Sequence, residues 1–173
     1  MGGVQVRGRG HISFHHPGDP RRPETVKTTQ DKPYQLLFVE DNSDDAELIL
    51  AAWEDSNLTV NIQVVPNGRE AVSFLRGRNG FGQAVRPDLI LLDLNMPVMD
   101  GREFLKEVKN DQALCDIPVL VLTTSQDHED VLAAYRSHAN CFLKKPDDYQ
   151  QFQDLARAIE DFWLRLAVLP AER

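Results

Sequence analysis

The sequence predicts a doubly wound α/β fold, a parallel five-stranded sheet with helices on both faces. Short runs of large aliphatics such as Leu89-Ile90-Leu91-Leu92 recur without polar alternation, as in strands buried on both sides. Between them lie segments whose apolar residues return every three or four positions, the spacing of surface helices. The two kinds of segment alternate five times from residue 34 onward, and each parallel return needs a crossover of helix length.

Gln35-Leu36-Leu37-Phe38-Val39 is the first strand. After Glu40-Asp41, Asn42 and Ser43 can cap a helix whose apolar positions are Ala46, Ile49, Leu50 and Trp53. Asn61-Ile62-Gln63-Val64-Val65 is the second strand, and Pro66-Asn67-Gly68 turns the chain into a helix using Ala71, Val72 and Leu75. Residues 76–87 hold three glycines and a proline, which read as a surface loop before the third strand, 89–92. Gly101 opens a helix through Phe104, Leu105 and Val108. Val119-Leu120-Val121-Leu122 is the fourth strand, Asp127 to Ser137 the fourth helix, and Cys141-Phe142-Leu143 the fifth strand. A last helix, about 148–166, is expected to bury Phe152, Leu155, Ile159, Phe162, Trp163 and Leu166 on one stripe. The flavodoxin-like order 2-1-3-4-5 is the simplest arrangement of five such repeats, and it sets the ends of strands one and three side by side.

A chain of 173 residues with 42% hydrophobic content suits one compact domain plus an appendage. The expected division is a flexible leader over 1–33, the domain over 34–166 and a short tail over 167–173. The leader is rich in glycine and proline and carries net +3, leaving −11 on the remainder. So acidic a domain repels phosphates and is a poor nucleic-acid binder. No apolar stretch is long enough to span a bilayer and no signal-peptide core is present, so a cytoplasmic location is expected. Cys115 and Cys141 lack the spacing of a zinc site, and His11, His15 and His16 lie in a stretch without periodicity.

The predicted topology gathers polar residues at one sheet edge. Glu40 and Asp41 follow strand one, and Asp93 follows strand three. Three converging carboxylates repel one another unless a cation sits among them, and all-oxygen ligation favours Mg²⁺ or Mn²⁺. Thr123 ends strand four as a hydroxyl donor, and Lys145 follows strand five as a cation beside Pro146. Metal ligands, nucleophile, donor and counter-charge together fit phosphoryl transfer onto Asp93. Singly, each residue has a plainer reading: helix-dipole charge for Glu40-Asp41, a cap or turn for Asp93 and Thr123, a solvated cation for Lys145.

Val39-Glu40-Asp41, Leu91 to Gly101 (LLDLNMPVMDG), Pro118 to Thr124 (PVLVLTT) and Lys145-Pro146 resemble the receiver domain of two-component response regulators over about residues 34–166. Val39 to Leu48, Leu122 to Ser125, Asn140-Cys141-Phe142 and Asp161 to Leu164 are similar to single-domain regulators paired with phytochrome histidine kinases. The resemblance implies that Asp93 accepts phosphate from a kinase phosphohistidine. It implies that Glu40, Asp41, Asp93 and the backbone carbonyl of Asn95 hold Mg²⁺, and that Thr123 and Lys145 bind phosphoryl oxygens. Phe142 would be the switching aromatic, without the hydroxyl of the tyrosine often found there. Lys144 is the adjacent alternative to Lys145, but strand alternation turns it the other way.

Such a protein is a phosphoacceptor rather than a turnover enzyme, with only Mg²⁺-dependent self-phosphorylation and autodephosphorylation expected. Only seven residues follow position 166, so output is expected through contacts with a downstream protein rather than a DNA-binding domain. The apolar end of the last helix suggests a homodimer through helix four, strand five and helix five. A haloacid-dehalogenase-like phosphatase would need an acid two residues after its nucleophile, where Asn95 stands. A nucleotide-binding flavodoxin-like domain would need a phosphate-cradling loop after strand one, where the chain instead runs Glu40-Asp41-Asn42-Ser43-Asp44-Asp45.

Overall fold

A computed structural model of the chain describes residues 32–54, 56, 58–125 and 127–170. The leader positions His11, His15 and His16, and nearly all of the 1–33 segment, lie outside the described residues. Five strands alternate with helices: β1 (Tyr34–Val39), α1 (Ser43–Glu54), β2 (Val60–Val65), α2 (Gly68–Leu75), β3 (Leu89–Leu92), α3 (Gly101–Asn110), β4 (Val119–Thr123), α4 (His128–Arg136), β5 (Cys141–Lys144) and α5 (Tyr149–Ile159). The sheet is parallel in the order β2-β1-β3-β4-β5, as expected.

Because successive strand residues face opposite sides, each aliphatic run feeds two cores. Leu37, Val39, Ile90, Leu92, Val119 and Val121 face one side, packed with Phe104, Leu105 and Val108 of α3. Leu36, Phe38, Leu89, Leu91, Leu120 and Leu122 face the other, packed with Ile49 and Trp53 of α1 and Phe152, Ala156 and Ile159 of α5. Fully burying one such large side chain contributes about 1.5–3 kcal/mol, which is why four residues suffice for β3.

Helix starts are set by short polar side chains. Asn67 accepts from Glu70 N at 2.9 Å, Asp100 from Glu103 N at 2.8 Å, Asp127 from Glu129 N at 2.9 Å and Asp148 from Gln151 N at 2.9 Å. Asn42 Oδ1 does the same for α1, accepting from Asp44 N at 2.9 Å. Between β3 and α3, Met99 N donates to Pro97 O at 2.9 Å around Val98 at φ 72, a tight and strained turn for a β-branched residue. It returns the chain so that Gly101 N bonds Leu94 O at 3.0 Å, closing α3 against the end of β3.

Two expectations need correcting. Leu50, placed on the apolar stripe of α1, is exposed, and only Ala46, Ile49, Ala52 and Trp53 are buried there. The last helix is not one regular stripe to 166: after Ile159 it continues as a π-wound segment, Glu160–Leu166, ending in an Ala167 N to Phe162 O bond of 2.8 Å. Wider winding turns Glu160 and Leu164 inward, leaving Phe162 53% and Leu166 74% exposed. The buried Glu160 carboxylate is satisfied by Ser56 Oγ at 2.6 Å and by the Arg165 guanidinium, while Tyr34 donates its hydroxyl to Leu164 O. These partners hold the register that helical periodicity alone would place differently.

Candidate functional site

The register places the site. Val39 pairs with Leu92 across β1 and β3, so the next residues, Glu40 and Asp93, emerge side by side. Leu92 pairs with Val121, and Thr123 with Lys144, which brings the ends of β4 and β5 to the same edge. Asp93 N donates to Val39 O at 3.0 Å, and Lys145 N to Thr123 O at 2.9 Å, fixing both backbones.

Glu40, Asp93, Thr123 and Lys145 are all buried, and Asp41 is exposed at the rim. Oxygens of Glu40, Asp41 and Asp93 lie within 4.8 Å of one another. Asp93 Oδ1 accepts from Leu94 N at 2.6 Å and Asn95 N at 3.3 Å, while Oδ2 faces Lys145 Nζ at 3.3 Å. Thr123 Oγ1 accepts from Ser125 N at 3.3 Å and from Asn95 Nδ2 at 3.4 Å. A hydroxyl has two acceptor sites and one proton, so the Thr123 O–H remains as the unspent donor. Phe142 pairs with Val121 in the sheet and is half-buried against the β1–β3–β4 core. Lys144 turns away and pairs with Asp147 at 2.9 Å.

Lys145 meets Glu40 at 2.6 Å, Asp45 at 2.8 Å and Asp93 at 3.3 Å. Burial alone would lower its pKa, but the surrounding carboxylates of Asp45, Glu40 and Asp93 raise it above the usual lysine value. Burial pushes the Glu40 carboxyl up to about 7, with Lys145 and the Asn42 amide opposing. Glu40 Oε2 is buried without an aligned hydrogen-bond donor, its Lys145 contact being that of an ion pair. It therefore keeps lone-pair capacity. One lysine cannot neutralise Glu40, Asp41 and Asp93 together, and an all-oxygen donor set of this kind fits a hard divalent cation.

The sequence reading placed Glu40, Asp41, Asp93, Thr123 and Lys145 at one edge, and they come together there; Asn95, expected to act through its backbone carbonyl, also reaches Thr123 with its side chain. It missed two residues. Asp45 is a further carboxylate on Lys145; it stood in plain view in an acidic loop, but nothing marked it apart from Asp44. Ser125 orients Thr123 through its amide and bonds Asp130 Oδ2 at 2.6 Å through its hydroxyl; Asp130 in turn accepts from Arg102 Nη2 at 2.6 Å. Those hydrogen bonds and the Arg102 charge hold the Asp130 carboxyl below its usual range.

A doubly wound sheet with this acid cluster, hydroxyl and lysine on its carboxyl edge defines a receiver of the two-component signalling type. A model of the response regulator receiver domain matches residues 36–157, and the chain belongs to that family. It is 40% identical over 139 residues to response regulator Rcp1 of Synechocystis, covering 80% of this chain and 95% of that protein. Among solved structures, the phosphorylated cyanobacterial phytochrome response regulator RcpA superposes with a TM-score of 0.77 at 41% identity, covering 81% of this chain and all of that one. The Mn²⁺-bound form of Rcp1 gives 0.75 at 40% identity over 80% of this chain and all of that one. The bacteriophytochrome response regulator AtBRR gives 0.65 at 34% identity, with 81% and 99% covered. Among the described residues no helix is long and apolar enough to cross a membrane.

Proposed function

We propose that this chain acts as a single-domain response regulator whose Asp93 accepts a phosphoryl group from the phosphohistidine of a sensor histidine kinase, of the phytochrome type that two similar solved structures are named for. The observation that carries the reading is the convergence of Asp93 Oδ2, a buried lysine and the acid cluster on one sheet edge. In the transfer, Oδ2 attacks phosphorus, the P–N bond to the kinase imidazole breaks, and its electron pair stays on that nitrogen. Leu94 N and Asn95 N hold the other oxygen, which fixes the carboxylate plane for in-line attack. Thr123 supplies a hydroxyl proton and Lys145 a positive charge to the transferred oxygens.

Glu40, Asp41, Asp93 and the Asn95 carbonyl would hold Mg²⁺, with Mn²⁺ as an alternative. When bound, that ion supplies charge neutralisation and open positions for phosphoryl oxygens. The same site supports Mg²⁺-dependent self-phosphorylation from small donors and autodephosphorylation, without turnover of a separate substrate.

Phosphorylation adds nearly two negative charges. Thr123 shifts toward them and Phe142 follows inward, which biases the surface of α4, β5 and α5. That surface is the proposed contact for a second copy of the chain and for a downstream protein, in a cytoplasmic setting. The domain is assigned to 34–166, with 1–33 as leader and 167–173 as tail. The acidic balance of the domain argues against nucleic acid as partner.

The deciding experiment offers a radiolabelled phosphohistidine donor to the wild type and to Asp93→Asn. Labelling is expected only in the wild type; undiminished labelling of the variant removes Asp93 from the reaction.

A further inference from the structure

Lys145 stands among three carboxylates: it hydrogen-bonds Asp93 Oδ2 at 3.3 Å and forms ion pairs with Glu40 and Asp45 at 2.6 and 2.8 Å. The two shorter contacts, to Glu40 and Asp45, draw the ammonium toward the end of β1 and the first turn of α1 rather than toward Asp93. Lys145 is only 4% exposed, so no solvent stands ready to replace a lost partner. A phosphoryl group on Asp93 inherits the one donor that Lys145 now gives Asp93 Oδ2, and a closer approach of the ammonium requires that Glu40 or Asp45 yield. Glu40, with a side chain fully shielded from water, cannot rehydrate on release. The Asp45 side chain is 22% accessible, so its carboxylate can rehydrate on release at much smaller cost.

We propose that Asp45 is a positioning residue of this site: its carboxylate draws Lys145 toward α1 and competes for the ammonium with a phosphoryl group on Asp93. The proposal rests on the phosphoacceptor reading of Asp93. Asp45 then acts as an internal competitor of the phosphoryl group. It shares Lys145 with Asp93 before transfer and weakens the hold on the phosphoryl group afterwards. The plainer role for an acid in the first turn of a helix is to complement the helix dipole. Asp44, its exposed neighbour on the same turn, would share that role without touching Lys145.

The test measures binding of beryllofluoride, a phosphoryl mimic, to the full chain with saturating Mn²⁺. Asp45→Asn is expected to bind about fivefold tighter than wild type, the size of a partly screened charge-assisted hydrogen bond. Asp45→Ser should tighten binding likewise if the Asn variant folds poorly, and Asp44→Asn should stay within about twofold of wild type. Structural damage would weaken binding, so tightening is not what a merely structural residue produces. Unchanged or weaker binding by the Asp45 variants, or equal tightening in Asp44→Asn, overturns the proposal. Failure of wild type itself to bind beryllofluoride with Mn²⁺ would instead overturn the phosphoacceptor reading beneath it.

Discussion

Replacing Gly101 with alanine tests the joint between fold and site. A Cβ built at Gly101 would lie 2.1 Å from Asp93 O, 2.8 Å from Leu94 Cα and 3.0 Å from Asp93 C. The first distance falls short of ordinary contact by more than about 1 Å, and the neighbour is backbone, which cannot swing aside. Overpacking of this kind costs about 1–3 kcal/mol, and weakening the Gly101 N to Leu94 O bond adds about 1 kcal/mol. The better helix propensity of alanine offsets at most about 1 kcal/mol. A net loss of about 2 kcal/mol is expected, a fall in Tm of roughly 4–8 °C for a chain of this size. Because the displaced atoms belong to the proposed phosphoacceptor, labelling from a small phosphodonor should slow by about 10- to 100-fold. Urea unfolding followed by circular dichroism, beside a labelling time course, reads both effects. Gly82→Ala, where an added methyl meets nothing within 4 Å, is the control and should change stability by less than about 0.5 kcal/mol. An alanine at 101 that unfolds at the wild-type urea midpoint and labels at the wild-type rate would refute the close packing of α3 on Asp93.

Arg102→Ala removes the partly exposed pair with Asp130 and should cost about 0.5–1 kcal/mol in urea unfolding, an effect that shrinks at high salt. The Asp148 carboxyl is held below the usual carboxylate range by hydrogen bonds from the Gln151 amide and side chain. A depressed folded pKa means that its stabilisation is present above the unfolded value and is lost as pH falls through the folded one. Asp148→Ala should therefore lower Tm at pH 6 and converge with wild type near pH 2–3, and a gap that persists at the acid end would contradict this. Phe162→Ser and Leu166→Ser alter exposed residues, so monomer stability should stay within about 0.5 kcal/mol of wild type. If the proposed dimer uses that end of the chain, light scattering should show the same variants shifted toward monomer.

Strands and their order were legible because four or five consecutive aliphatics such as 89–92 and 119–122 admit no other placement in a small α/β domain. The site was legible for a related reason: once the order is set, every residue just past a strand falls on one edge. What escaped were contacts between residues far apart in sequence. Asp45 lies exactly one hundred positions from Lys145, and no local pattern distinguishes it from Asp44. Glu160 faces inward only because Ser56, 104 positions away, and Arg165 satisfy it. A helical wheel has no access to such partners and assigns that acid to solvent. Leu50 was misplaced by the converse error, since apolar spacing marks candidates for burial and says nothing of where the neighbouring helix ends.

The wide winding after Ile159 separates two demands that an ordinary amphipathic helix must meet with one stripe. Leu164 seals the hydrophobic interior while Phe162 and Leu166 stand on the outside of the same short segment. Substitutions at the outer pair can thus remodel what this end of the molecule adheres to while the seal beneath stays intact. If the proposed contact surface includes this segment, its recognition can diversify with little penalty to folding.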